Sequence, residues 1–158
     1  AQPLDTTIHH NGWVGENPKN YTTWRGIHAW IDGGFIERGR LDVTSLVERA
    51  QPATVLPLQP PASRRDPMFE HVMNYLQAQH AFVEPLYQLD QARKFRLEDN
   101  PPEAEAVRFI EDRLLAGGQM LANLWLTAWR TAVPDAYLRG QLIRQKAAAE
   151  EAAKKQDS

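Results

Sequence analysis

Asn100-Pro101-Pro102-Glu103 constrains the fold of this chain more than any other stretch. A capping residue, prolines in a first turn where their missing N–H costs little, and a glutamate three residues on together mark a helix start. Downstream, Val107, Ile110, Leu114, Gly117, Leu121, Leu124, Trp125 and Ala128 recur at helical spacing. A helix over 101–131 with a wide apolar face, central to a bundle, is therefore expected. Gly117-Gly118 costs about 1 kcal/mol per residue against alanine inside a helix; close approach of another backbone would explain the pair. Asp66-Pro67 is a second cap with a first-turn proline. Phe69, Val72, Met73, Leu76, Val83, Leu86 and Leu89 fall near one stripe, so a helix over 67–97 is expected, kinked at Pro85. The two long helices should pack antiparallel. Convincing strand alternation and internal repeats are absent, and the fold class read from the pattern is all-α.

The remaining segments fit one domain. Asp42 caps a short helix through Gln51, with Leu46 and Val47 inward and Pro52 stopping it. The proline-rich stretch from Pro52 to Arg65 reads as an extended connector. Val133-Pro134-Asp135 breaks the chain before a tail ending in Ala, Glu and Lys, expected to be a solvated helix that frays. The expected organisation is a helical domain over 1–134 and a charged tail over 135–158. A length of 158 residues supports one core and is short for two. The net charge of −2 leaves no basic footprint for tight electrostatic binding of duplex nucleic acid. There is no cysteine, which excludes disulfides, thiolate metal sites and thiol nucleophiles. The most apolar window, Leu114 to Trp129, is under the roughly eighteen residues of a transmembrane helix and contains Gln119 and Asn123. No signal peptide is visible, and the start without methionine suggests a processed product or a piece of something longer.

One spacing looks chemical. In Thr22 to Ile36, His28 and Asp32 are four residues apart, which in a helix over about Trp24 to Arg38 places imidazole and carboxylate on one face. Trp24, Ile27, Ile31 and Phe35 form an apolar stripe beside them, so the pair sits on the shoulder of a buried face. Gly33-Gly34 is a point where the helix would bend. The same spacing also describes an ordinary surface pair. Residues 1–21 read as a structured loop with a turn at Asn11-Gly12, and Trp13 covering something beneath it. Within it, His9 and His10 are either surface histidines or nitrogen donors. His80 is expected on the inward side of its helix as a satisfied core residue, and His71 in solvent.

Three stretches together resemble the C-terminal half of the zinc-dependent phospholipase C / S1-P1 nuclease family. Gln2-Pro3-Leu4 is similar to its Gln-Pro-Leu/Met-His element, and Gly26 to Asp32 to its His-x-x-x-Asp/Glu ligand pair. Leu115 to Trp125 is similar to its terminal helix. The likeness covers most of residues 1 to about 130. It implies a helical bundle of that type with the N-terminal part absent, and one zinc site held by Asp5, His28 and Asp32. Asp5 stands where the family has histidine, so the site would be harder and more anionic. His9 or His10 are the alternative source of the missing nitrogen. The family's N-terminal ligands have no counterpart here.

The resemblance implies a metal-dependent phosphodiester hydrolase, secreted or periplasmic. Its substrate would be single-stranded nucleic acid or a phospholipid head group, and an N-terminal half or companion chain would complete it. Homo-oligomerisation is a further expectation for so wide an apolar face. Catalytic residues are not identified by it. The alternative reading is a non-catalytic helical interaction or structural module that kept the core and lost the zinc cluster.

Overall fold

The computed structural model describes residues 1–39, 41–59, 65–96 and 102–156, and among these it forms helices, turns and no strand. A 3-10 turn, Pro3–Thr6, opens the chain, followed by a loop up to Gly26. Then come α1 (Ile27–Ala29), a π-helical turn (Trp30–Gly34) and α2 (Phe35–Arg38). After these lie α3 (Val43–Arg49), α4 (Pro67–His80), α5 (Val83–Gln91), α6 (Ala104–Thr131) and α7 (Ala136–Gln156). The fold is all-α. No helix among the described residues is long and apolar enough to cross a membrane.

The chain divides into two compact units, Ala1–Thr127 and Ala128–Ser158, and the division falls inside α6. The first unit holds the core: Leu4, Tyr21, Ile27, Ile31, Phe35, Val83, Leu86, Tyr87, Phe95, Ala106 and Ile110. The stripe Ile27, Ile31, Phe35 is buried as its spacing requires, while Trp24 at its head is 47% exposed. Burying each such aliphatic or aromatic side chain contributes about 1.5–3 kcal/mol. In the second unit Trp129, Val133, Tyr137, Leu138, Leu142 and Ile143 are all exposed.

Three expected helices differ from the structure. The segment over 24–38 is not a uniform α-helix, because the Phe35 amide reaches back to the Trp30 carbonyl and opens one π turn. Gly34 lies in it, and a Cβ there would stand 2.4 Å from the Trp30 ring, which is anchored by its Nε1–H on the Phe95 carbonyl at 3.0 Å. The helix expected over 67–97 is two helices, parted at Ala81-Phe82. Asp66 caps the first as expected, its carboxylate accepting from the Phe69 amide at 3.1 Å. Asn100 and Pro101, the expected cap of α6, lie outside the described residues, as does 97–100 of the connector. The wide face of α6 is only partly covered: Ala106, Ile110 and Thr127 are buried, but Leu114, Leu121 and Trp125 are exposed.

The capped helix α3 forms as expected, with Asp42 accepting from Thr44 and Ser45 at 3.0 and 3.2 Å. Val47, expected inward, is 69% exposed. The extended connector runs along α6: the Thr54 amide donates to Asn123 Oδ1 and the Leu56 amide to Thr127 Oγ1, both at 2.8 Å. His71 is half-buried, its Nε2–H on the Pro57 carbonyl at 2.7 Å. The connector residues 60–64 lie outside the described residues.

Candidate functional site

The loop up to Gly26 is held in place by its own side chains. Asn17 bridges Tyr21 twice, accepting from its amide at 2.9 Å and donating to its carbonyl at 2.7 Å. The Trp13 amide donates to the Thr22 carbonyl at 2.8 Å. Trp13 packs against Tyr21 and Tyr87, with ring centroids 4.9 and 5.3 Å apart. Tyr87 donates its hydroxyl to the His9 carbonyl, and Glu84 accepts from both Lys19 and the Tyr21 hydroxyl. Burial pushes the Tyr21 and Tyr87 phenols up, so both remain neutral donors at pH 7. The loop is thereby fastened to α5.

At the start of the chain the 3-10 turn is fastened to α4. His80 donates from Nδ1 to the Thr6 carbonyl at 3.1 Å, with the Thr6 hydroxyl oxygen 3.2 Å away. That hydroxyl in turn donates to the Pro3 carbonyl at 2.7 Å. His80 is exposed and pins this turn, which corrects its expected place in the core. The turn presents Asp5 towards His28.

Here the expected residues converge. His28 Nε2 lies 2.9 Å from Asp32 Oδ2 and 3.4 Å from Asp5 Oδ1. His28 Nδ1 faces the His10 carbonyl at 3.2 Å; a carbonyl only accepts, so Nδ1 carries the proton and Nε2 is the atom offered to the carboxylates. Gln2 Nε2 donates to Asp32 Oδ1 at 2.8 Å, and Asn11 Oδ1 accepts from the His28 amide at 3.4 Å. Asp5 and Asp32 are 61% and 50% exposed. A pair this open contributes at most about 1 kcal/mol to folding. As they stand, both carboxylates lie within ion-pair distance of His28 Nε2, a contact that requires the imidazole to carry a proton on each nitrogen. Among the described residues no group of three or more His, Asp or Glu side chains is disposed around a common ion position.

The two histidines beside them separate. His9 stacks on Trp13, centroids 3.8 Å apart and planes 6° from parallel, and its Nδ1 accepts from the Val14 amide at 3.1 Å. It belongs to the aromatic fastening. His10 lies edge-on to His28, centroids 6.2 Å apart, and is exposed.

Sequence reasoning missed Gln2 as the residue that orients Asp32, and the His10 carbonyl as the one that sets the His28 tautomer. It also missed Arg113, whose guanidinium carbon lies 3.5 Å from the centroid of the Phe82 ring. An arginine flanked by Ile110 and Leu114 on an apolar face was the available signal. Comparison of the chain with protein-family models, with curated proteins and with solved structures finds no match.

Proposed function

We propose that this chain is the C-terminal part of a metal-dependent phosphodiester hydrolase in which Asp5, His28 and Asp32 hold one zinc ion. The observation that carries the reading is the meeting of these three side chains, drawn from the 3-10 turn, α1 and the π turn, at His28 Nε2. Two donors each about 2.0–2.2 Å from one tetrahedral ion lie roughly 3.3–3.6 Å apart. The 3.4 Å between Nε2 and Asp5 falls in that range, and the 2.9 Å to Asp32 requires a small outward shift of one carboxylate. The supporting residues suit the role: a carbonyl on Nδ1 and an amide on Asp32 are the outer contacts that orient metal-binding side chains. π turns inside α-helices also recur at functional sites.

When bound, zinc supplies a Lewis acid for a phosphoryl oxygen and lowers the pKa of a bound water. The chain's own residues would do the rest: Gln2 and the His10 carbonyl hold the ligands in orientation, and His80 with Thr6 holds the turn bearing Asp5. The test is zinc binding by calorimetry and by metal analysis after dialysis. One ion per chain is expected, with affinity falling at least ten-fold in Asp5→Ala and stoichiometry lost in His28→Ala. Equal zinc uptake by wild type and His28→Ala would sink the reading.

A second reading, a helical interaction module without a metal, is favoured by the open face of α6. Leu114, Leu121 and Trp125 share that face and are 37%, 48% and 70% exposed. On that reading Asp5, His28 and Asp32 are a surface ion-pair cluster, and zinc would leave the calorimeter silent.

A further inference from the structure

A pocket of about 240 Å³ opens between the start of the chain, the π turn, α2 and α6, with Asp32 in its lining. It is lined by Ile31, Ile36 and Leu114, and its polar side chains are Gln2, Asp32 and Arg113. Arg113 is the unusual member. Its Nη1 donates to Gln79 Oε1 at 3.1 Å, a neutral partner, and its guanidinium rests on the Phe82 ring. Its Nε is sealed from solvent and has no acceptor among the described residues. The Tyr75 hydroxyl, which interacts electrostatically with Arg113, is likewise buried and without a hydrogen-bond partner. Buried polar atoms are paired in the great majority of proteins, and an orphan commonly marks a missing water, ion or ligand. A half-buried cation whose hydrogen bond goes to a neutral amide is a stronger case, because guanidinium pairs with carboxylate or phosphate through two parallel N–H groups. The neighbouring Asp112 acts on Arg113 electrostatically, but its carboxylate is engaged with Arg49 at 3.1 Å. Asp32 already accepts from Gln2 and pairs with His28.

We propose that this pocket binds a small organic phosphate, its phosphoryl oxygens on the guanidinium of Arg113 and its apolar substituent against Ile31, Ile36 and Leu114. The volume favours a single phosphate ester over a longer chain, since sites for drug-sized ligands begin near 300 Å³. Binding needs no metal. Its role as a substrate anchor beside Asp32 rests on the hydrolase reading; the binding itself does not.

Phenyl phosphate is the probe, titrated in EDTA against the full chain and followed by calorimetry and by the Arg113 side-chain Nε–Hε NMR resonance. Saturable binding with movement of that resonance is expected. Phenol, which lacks the charge, should bind at least ten-fold more weakly. Arg113→Gln should cost at least ten-fold in affinity, and Arg113→Lys less. Should Arg113→Gln fail to fold, Ile36→Trp fills the pocket with the guanidinium intact and should abolish binding. His28→Ala should leave phenyl phosphate affinity within two-fold, so loss of the zinc reading and loss of this one are separable. Phenyl phosphate that binds Arg113→Gln or Ile36→Trp as it binds wild type, or leaves the Arg113 resonance still, overturns the proposal.

Discussion

Two carboxylates on α5 respond to pH in opposite senses. Glu84 is held below the usual carboxylate range, first by its hydrogen bond from Lys19 and then by that from Tyr21. What it contributes to folding is present above the unfolded-state pKa and lost as pH falls through the folded one. Asp90 is 5% exposed, and burial pushes its carboxyl up, with Arg96 opposing. A raised carboxyl works the other way: its favourable contribution is full below the unfolded-state pKa and lost as pH rises through the folded one. Asp90→Asn, neutral at every pH, should therefore be more stable than wild type at pH 7, with the advantage shrinking towards pH 4. Urea midpoints at both values check this, and an advantage that does not change with pH would exclude ionisation of Asp90 as its source. Reading single residues from the sequence succeeded where spacing carries the information, as for His28 and Asp32. It failed for His80 and His9, because what decides them is a partner distant in sequence or a ring stack. His80 is fixed by Thr6, and His9 by Trp13, whose i,i+4 spacing outside any helix carries no directional meaning.

At the scale of elements, the break between α4 and α5 has a legible cause that lies four residues from its effect. Pro85 was the expected kink, yet the helix parts at Ala81-Phe82. A proline removes the hydrogen bond to the carbonyl four residues back and its ring crowds that same carbonyl, which here is Ala81. Pro85 then sits in the first turn of α5, where a missing N–H is harmless. The π turn was less legible, since His28 and Asp32 stay in contact whether or not one backbone bond is lengthened, and only Gly33-Gly34 marked the place. The loop bearing His10 and Asn11 depends on Gly12, at φ +98°, where a Cβ would stand 2.7 Å from the Thr23 carbonyl group. Gly15, at φ +81°, faces open space. Gly15→Ala should cost about 1–2 kcal/mol through the left-handed backbone alone. Gly12→Ala should cost about 1–3 kcal/mol more, because the clash is with backbone and cannot be relieved by a rotamer. Denaturant melts of the two variants give that difference directly; equal melts would mean that the loop yields at no cost and does not hold His28 in place.

The whole chain carries a modest net charge of −2, and its buried apolar cluster spans residues 4–110. If Asp5, His28 and Asp32 are all spent as ligands, none of them is free to move a proton. His10 has its ring 6.2 Å from that of His28, and on the proposed reading Arg113 would serve to hold a phosphate. Phosphodiester cleavage needs more than this: a water must be deprotonated, charge on the phosphoryl group offset, and the leaving oxygen stabilised. On the proposed reading the described residues would supply a place for the ion and an anchor for the phosphate, without a base among them. The open face at Leu114, Leu121 and Trp125 is where a companion polypeptide would find apolar surface to cover. The isolated chain with added zinc should therefore turn over single-stranded DNA or a phosphatidylcholine analogue within about ten-fold of zinc in buffer, and His28→Ala should lower that rate no further. The assay is initial rates of the purified chain and the variant on both substrates. Robust turnover abolished by His28→Ala would show an enzyme that needs no companion, with His10 the first residue to test as its base.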